Sequence, residues 1–382
     1  MGVHPNLYTC KGVSEDGERE DEAVEQSLFL TCMVPLQLYI TETEEILWEN
    51  KKPSSTLLCR PLRFRYVKES REVILEEERF LRESNLRPSL LDGISCKHQM
   101  ELTMIDGKVQ TILSPQTNST QCCSICGSKP TQMNDLVQIR RLKAMVKEDN
   151  LKYGLSTLHA WIRSMEFCLH LSYRLDVKTW QVKEINREAV NIRKKRIQRE
   201  LRAKLCITVD QPMAGGSGTS NTGNVARRFF QNSPETADIL SLDPNLLGRL
   251  YVILCILAST KKFDLQKLDQ YCWATMELLS SLYPWYYTPQ AVHKILVHST
   301  QVMQIKNLPI GALSEEAQES RNKDVKNYTQ FFSLKTNRQH TNRDVMRRLL
   351  FGSDPEVSSL RRSSGMFKEE ELPQEAKEMM LD

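Results

Sequence analysis

The sequence lacks any apolar run long enough to cross a membrane. Its most apolar stretch, residues 246–258, falls short of the about 20 residues that a spanning helix needs, and it contains Arg249. The first residues, "MGVHPNLYTC", also lack a basic segment followed by an apolar core. We therefore expect neither a membrane span nor a secretory signal.

The sequence also lacks a disulfide framework and a large charge of one sign. Its eleven cysteines are odd in number and scattered, which predicts a reducing compartment, the cytosol or the nucleus. The sequons at Asn118 and Asn327 are then expected to stay unmodified. The net charge is only +4, so a nucleic-acid interface must come from local clusters of basic residues. Histidine is scarce as well, with seven in the chain.

The first part of the chain has the residue pattern of strands. The stretches "SLFLTCMVPLQLYI" and "TLLCRPLRFRYV" are rich in β-branched, aromatic and leucine residues and predict strands within residues 1–66. "HQMELTMI" alternates apolar and polar residues and predicts another strand. That strand ends at Asp106-Gly107, a pair typical of a turn.

Helical periodicity dominates the rest of the chain. Helices are predicted at residues 69–88, 154–175, 187–204, 245–259, 264–283, 289–304 and 313–331. The stretch "PMAGGSGTSNTGN" predicts a flexible loop, and the tail from residue 355, Ser-rich and then acidic, is expected to be disordered. Strands first and helices afterwards predict an α+β fold, and 382 residues are too many for one core.

Two distant pairs of residues offer metal ligands. Cys123 and Cys126 form a Cys-x-x-Cys pair before a glycine, although Cys122 leaves open which thiols bind. His293 and His298 lie about 140° apart on a regular helix, so they can share an ion only if the helix ends or opens near His298. The alternative is a partly buried histidine pair without a metal.

Several stretches resemble a known family in a single order along residues 8–353. They are "KPSSTLLCRPL", "MIDGKV", "CSIC", "LHAWIRSMEF", "GNVARRFF", "HKILVH", "LPIG" and "ESRNK". Together they resemble the catalytic core of the recombination-activating protein 1 and Transib transposase family. The resemblance implies a structural zinc ion on Cys123, Cys126, His293 and His298, which ties a helical insertion to an RNase H-like domain with a mixed sheet.

The resemblance also implies a domain plan. Residues 1–117 are expected to form the RNase H-like domain, and residues 118–153 the zinc-binding Cys-x-x-Cys region. The helical region with the two histidines is expected at residues 154–312. Residues 313–354 would complete the RNase H-like site, ahead of the disordered tail at 355–382.

Enzymes of this class cut and join DNA with two magnesium or manganese ions held by carboxylates. The resemblance assigns Asp106 and Glu319 to two of these carboxylates, and the turn expected at Asp106-Gly107 is compatible with that role. Glu316 is a rival for Glu319, and Glu315 and Glu319 could equally form a solvated i,i+4 face. Where the family has Cys-Asp-Gly, this chain has Cys10-Lys11-Gly12. A lysine cannot bind magnesium, and we expect the family's upstream DNA-end-binding modules to be absent from this polypeptide. We therefore expect impaired catalysis.

DNA binding is expected from the basic helix at residues 187–204. The predicted contact residues are Arg193, Lys194, Lys195, Arg196, Arg199, Arg227 and Arg228. The alternative is a solvated helix that packs through its own apolar residues.

Three functions follow from these expectations. The first is a DNA-binding, transposon-derived recombinase-like protein with impaired catalysis. The second is an active metal-dependent endonuclease or transposase. The third is a zinc-stabilised helical adaptor without a nucleic-acid role. The expected partners are DNA, a second copy in a homodimer and an accessory recombination protein, with no membrane, and the expected location is the nucleus.

Overall fold

The computed structural model describes residues 2–4, 28–67, 70–84, 88–102, 105, 107–114, 116, 119, 121–212, 219–360 and 371–381. The fold is mixed α+β, rich in helix with small sheets, so the predicted fold class is confirmed. The chain forms two compact units. The sheet unit comprises Met1–Ile105 and Ala312–Glu369, and the helical unit comprises Asp106–Gly311 and Glu370–Asp382.

The described part of the sheet unit contains eight strands. They are β1 Gly2–His4, β2 Leu28–Val34, β3 Gln37–Tyr39, β4 Ile46–Glu49, β5 Arg60–Tyr66, β6 Ser89–Leu91, β7 Ile94–Cys96 and β8 Glu101–Leu102. The main sheet has the order β5-β2-β1-β8. Its β1–β2 and β2–β5 pairs are antiparallel, whereas β1 and β8 are parallel, so the sheet is mixed. β3–β4 and β6–β7 form two separate antiparallel hairpins.

The strands are shorter than the sequence predicts. The stretch "SLFLTCMVPLQLYI" gives two strands, because Pro35 has no N–H to donate to a sheet and β2 ends just before it. "HQMELTMI" gives only β8, and Thr103 and Met104 lie outside the described residues. Gly107 begins a helix, Gly107–Leu113, and Asp106, the other member of the predicted turn pair, lies outside the described residues.

The helix Arg71–Ser84 carries a fully buried carboxylate toward the sheet. Glu77 accepts hydrogen bonds from Arg63 and Arg65 of β5, both at 3.2 Å, and from the Thr31 hydroxyl of β2 at 2.8 Å. A buried charge is tolerated only where it is paired and hydrogen-bonded. Glu77 therefore fixes the position of this helix against the two longest strands.

A buried arginine performs the corresponding role for the first of the later helices of the sheet unit. These helices are Glu316–Phe331, Arg338–Gly352 and Pro355–Leu360. Arg321 is 2% exposed and donates to the carbonyl oxygens of Thr56 and Cys59 at 2.6 and 2.9 Å. Its guanidinium also pairs with Asp324 at 2.9 Å. The helix Glu316–Phe331 is therefore anchored to the chain that enters β5.

The helical unit is built from helices throughout its described part. They are Gly107–Leu113, Leu136–Ala144, Glu148–Leu151, Thr157–Tyr173, Glu184–Leu205, Gly223–Gln231, Ser233–Leu240, Pro244–Ala258, Leu265–Leu282, Gln290–His293, Ser299–Gln304 and Gln374–Glu378. A π-helical segment, Lys294–His298, joins two of them. Short 3₁₀ turns lie at Thr56–Leu58, Pro130–Gln132 and Ile310–Leu313 in the chain as a whole.

The core of the helical unit forms around Thr157–Tyr173. Trp161 of this helix lies edge-on to Phe230 and Tyr251, with ring centroids 6.0 and 6.2 Å apart, and Phe230 contacts Phe229 at 5.1 Å. Such edge-to-face pairs stabilise a core beyond their buried area. The apolar helix Pro244–Ala258 packs in this core. Among the described residues, no helix has the length and apolar character to span a membrane.

Part of the tail differs from the predicted disorder. Pro355–Leu360 and Gln374–Glu378 are helices, whereas residues 361–370 lie outside the described part. Ala376 and Met379 are buried, and the backbone of Met379 accepts from the N–H of Asp264 at 2.8 Å. The tail thus packs into the helical unit through the apolar side chains that lie among its acidic residues.

Replacing the buried carboxylate should destabilise the sheet unit strongly. Glu77→Ala leaves Arg63 and Arg65 without their shared partner, and breaking a buried charge pair costs about 3–5 kcal/mol. Glu76→Ala is the matched control, because Glu76 lies one position away and is half-exposed, so loss of its ion pair with Arg65 should destabilise the unit far less. Denaturant unfolding measures both; equal effects would contradict the structural role of Glu77.

Candidate metal centre

The two cysteines lie on a tight backbone turn, residues 123–128, here called the cysteine knuckle. The N–H of Cys123 donates to the carbonyl of Ser128 at 2.9 Å, and the N–H of Gly127 donates to the carbonyl of Cys123 at 2.8 Å. Gly127 has φ of +75°, a conformation that glycine adopts without strain. The turn therefore holds both thiols on one side of a short loop.

Side chains from three neighbouring segments fix this loop. The hydroxyl of Ser114 donates to the carbonyl of Ser124 at 2.8 Å, and the amide of Asn150 donates to the carbonyl of Ile125 at 3.1 Å. The amide of Gln290, at the start of the helix with the two histidines, donates to the carbonyl of Cys122 at 2.5 Å. The cysteine knuckle is thus positioned by its backbone as well as by its thiols.

The two histidines lie on residues 290–304, here called the histidine helix, which contains a π-helical segment at Lys294–His298. A π turn bonds residue i to residue i+5, so residues five apart lie nearly above one another. His293 and His298 therefore point the same way, although a regular helix would separate them. The predicted opening of the helix near His298 takes this form.

The four predicted ligands converge in the helical unit. Their ligand atoms all lie within 4.8 Å of one another, and Cys126 Sγ lies 3.4 Å from His293 Nε2. Three of the side chains are fully buried and Cys126 is half-buried. His298 Nε2 is a buried atom without a hydrogen-bond partner among the described residues. Such an atom is costly unless something occupies the point that it faces.

The protonation of the cluster suits a cation. Burial opposes ionisation of Cys123, but its contacts with the other three ligand side chains outweigh burial and hold the pKa of Cys123 well below its usual value. The pKa of Cys126 is raised, first by its hydrogen bond to Cys123 and then by burial. Burial lowers the pKa of His293, which favours the neutral imidazole that binds metals.

This cluster could hold a metal ion. A tetrahedral centre with two thiolates and two imidazoles has ligand atoms about 3.5 Å apart, given metal–ligand bonds of about 2.0–2.3 Å. The observed separation of Cys126 and His293 agrees with this value. Thiolate and imidazole select transition metals over magnesium or calcium. Among the described residues, Cys122 is not part of the cluster.

The structure describes only one of the two predicted catalytic carboxylates. Glu319 is half-buried in the helix Glu316–Phe331, and its backbone N–H donates to the carbonyl of Glu315 at 3.0 Å. Its rival Glu316 is also half-buried, in the first turn of the same helix. Asp106 and Lys11 lie outside the described residues. The magnesium site therefore stays a prediction.

Several predicted DNA-contacting residues have contacts within the helical unit. Arg193 donates to the carbonyls of Ser172 and Leu240 at 2.6 and 3.2 Å and pairs with Asp176. Arg228 donates to the carbonyl of Leu205 at 2.7 Å and so caps the end of the helix Glu184–Leu205. These two residues hold helices together.

The other predicted DNA-contacting residues are of two kinds. Some contact a neighbouring side chain, and the rest are exposed. Lys194 lies 3.8 Å from Asp210, Arg196 lies 3.5 Å from Glu200, and Arg227 stacks over Trp161. Lys195 and Arg199 are exposed.

A third exposed cation, Arg202, completes a line that the prediction of contact residues omitted. Lys195, Arg199 and Arg202 border a groove between the basic helix, Glu184–Leu205, and residues 208–211. Their i, i+4, i+7 spacing places them on one helical face, and this spacing is the signal that identifies the set. The line spans about 10 Å, over which one strand of a duplex carries about three phosphates.

No model of a known protein family matches this chain, and no curated protein matches it. The chemistry of the metal cluster and the basic groove therefore carries the functional assignment.

Loss of one predicted ligand should release the metal, whereas loss of the neighbouring thiol should not. Cys126→Ser removes a ligand, so purified protein should lose its bound metal and unfold at lower temperature, because structural metal binding contributes directly to folding. Cys122→Ser is the matched control and should keep about one metal ion per chain. Elemental analysis and thermal unfolding measure both; metal retained by Cys126→Ser and lost by Cys122→Ser would overturn this ligand set.

Proposed function

We propose that the protein is a DNA-binding relative of the recombination-activating protein 1 and Transib transposases, with a structural zinc ion and impaired cleavage chemistry. The observation that carries the proposal is the convergence of Cys123 and Cys126 with His293 and His298. These pairs lie far apart in the sequence, and their pairing was expected from the family resemblance alone. Zinc is the metal that two thiolates and two imidazoles in a closed tetrahedral site most often hold.

The sheet unit supports the same proposal. In its main sheet, β1 pairs antiparallel with β2 on one side and parallel with β8 on the other, the mixed arrangement expected of an RNase H-like sheet. The helix Glu316–Phe331 is fixed to this unit through Arg321, two residues after Glu319. A carboxylate on such an anchored helix suits the role proposed for Glu319.

The basic groove supports DNA as the partner. Lys195, Arg199 and Arg202 are exposed in one line, whereas the neighbouring Arg193 and Lys194 are used in contacts within the unit. Exposed cations in a row gain affinity by releasing the counterions of the phosphate backbone. The binding is then largely independent of base sequence, and nuclear DNA is the expected target.

Catalysis is proposed to be impaired because of the residue at position 11. Two-metal phosphoryl transfer needs carboxylates that gather both ions, and the family's first carboxylate is replaced by Lys11 in this chain. Asp106 and Glu319 would supply two of the three ligands. The chain would then bind DNA without cutting it, alone or with a second copy or an accessory recombination protein.

Neutralising the exposed cations should weaken DNA binding and its salt dependence. Arg199→Gln with Arg202→Gln removes two phosphate contacts, so the slope of log affinity against log salt should fall by about 2. Lys261→Gln with Lys262→Gln removes the same charge from exposed positions elsewhere in the helical unit and should leave the slope unchanged. Fluorescence anisotropy with a labelled duplex measures both. Absence of DNA binding by the unmodified protein would favour the helical adaptor.

Nicking should be undetectable in the presence of magnesium or manganese. A supercoiled plasmid reports single cuts sensitively, and the unmodified protein should leave it intact because Lys11 places a cation where a metal-binding anion is needed. Asp106→Ala and Glu319→Ala are the controls for any activity that is seen. Robust nicking that both substitutions abolish would show an active enzyme with a different third carboxylate.

A further inference from the structure

The metal ligand His298 is held by a single side chain from its own helix. Its Nδ1 lies 2.8 Å from Oε1 of Gln301, one turn along the histidine helix. The other ring nitrogen, Nε2, is buried and faces the metal cluster. The hydrogen-bond partner of Nδ1 therefore decides which tautomer His298 adopts and which ring nitrogen faces the cluster.

The orientation of the Gln301 amide follows from its second contact. Its Nε2 donates to the backbone carbonyl of Lys143 at 3.1 Å, near the end of the helix Leu136–Ala144. A carbonyl oxygen can only accept a hydrogen bond, so the NH₂ group must face Lys143 and the oxygen must face His298. A neutral His298 beside an acceptor carries its proton on Nδ1, which leaves the Nε2 lone pair for the cluster.

The neighbouring contacts keep Gln301 in place. The hydroxyl of Thr300 donates to Asp269 at 2.6 Å, and the ammonium of Lys143 pairs with the same carboxylate oxygen at 2.5 Å. Asp269 belongs to the helix Leu265–Leu282, so three helices meet at this point. The end of the helix Leu136–Ala144, which carries the Lys143 carbonyl that accepts from Gln301, is thereby held in place.

The other histidine has no comparable support. His293 Nδ1 is buried and has no hydrogen-bond partner among the described residues, while its Nε2 faces Cys126. The two imidazoles therefore differ at Nδ1: among the described residues that of His293 has no hydrogen-bond partner, whereas that of His298 is oriented by a hydrogen-bonded side chain. A mutation beside His298 can thus change the cluster without removing a ligand.

We infer that Gln301 is a positioning residue that fixes the tautomer of His298 and links the metal centre to the helix Leu136–Ala144. This inference rests on the proposed metal site, because it concerns the ligand that the site receives. Residues that hydrogen-bond to a metal ligand typically raise metal affinity by about 10- to 100-fold. Gln301 contacts no metal itself and acts only through His298.

The test compares three substitutions on one helix. Gln301→Leu removes both hydrogen bonds at similar volume, and Gln301→Glu keeps an acceptor for Nδ1–H but not the donor to Lys143. Gln304→Leu is the matched control, because Gln304 is an exposed glutamine at the end of the same helix. Zinc affinity is measured by chelator competition, and thermal unfolding shows whether each variant is folded.

We expect Gln301→Leu to lose about 10- to 100-fold in zinc affinity, and Gln304→Leu to match the unmodified protein. Gln301→Glu should recover most of the loss, because a carboxylate accepts the same proton. A loss with Gln301→Leu no larger than with Gln304→Leu would overturn the positioning role while leaving the metal site intact.

A second measurement does not need the metal. NMR of isotope-labelled imidazoles in the metal-free protein should show His298 protonated at Nδ1, and Gln301→Leu should populate the other tautomer. A tautomer of His298 that Gln301→Leu does not change would overturn the inference. If zinc fails to bind at all, the proposed metal site falls, and the tautomer measurement still decides the role of Gln301.

Discussion

The helical unit depends on one constraint: four ligand side chains from two distant segments must share a buried point. Buried thiols and imidazoles without a common partner would cost free energy, because each has lost its contacts with water. The hydrogen bonds around the cysteine knuckle and the π turn in the histidine helix both bring ligands to this point. The local backbone conformations of both segments thus serve one centre.

The sequence predicts this centre only in part, and the reason is geometric. A Cys-x-x-Cys pair can be read directly, because a short loop brings its thiols together by itself. Two histidines five apart cannot be recognised as a ligand pair in this way, because a regular helix separates them. Nothing in "HKILVH" alone predicts a π turn. The family resemblance predicted that the two cysteines pair with the two histidines. The π turn in the structure explains how both histidines can take part. Gln301 was out of reach of the sequence, since its role depends on the nearby Lys143 carbonyl.

The fold was predicted in its class and in most of its helices, which follow from apolar periodicity. The strands were predicted too long, because Pro35 interrupts one of them. Charged residues were the harder part. Arg193 and Lys195 look alike in the sequence, yet Arg193 bonds two backbone carbonyls and Lys195 is exposed, and only their positions on the helix separate them. The charge of a helix says little about how many of its cations are available to a partner.

The order of the chain through the two units has a consequence for synthesis. The sheet unit is interrupted at Ile105 and resumes at Ala312, so Arg321 reaches the carbonyl of Thr56 across 265 positions. A nascent sheet unit must wait on the ribosome for its last helices while its apolar strands stay uncovered. An ion on the four ligands would shorten the loop that separates the two parts of the sheet unit. Only residues 106–122 and 299–311 of the insertion lie outside the stretch that the four ligands close. Closing the remaining loop would then cost roughly 2 kcal/mol less chain entropy, so an ion bound in the helical unit would ease completion of the sheet unit.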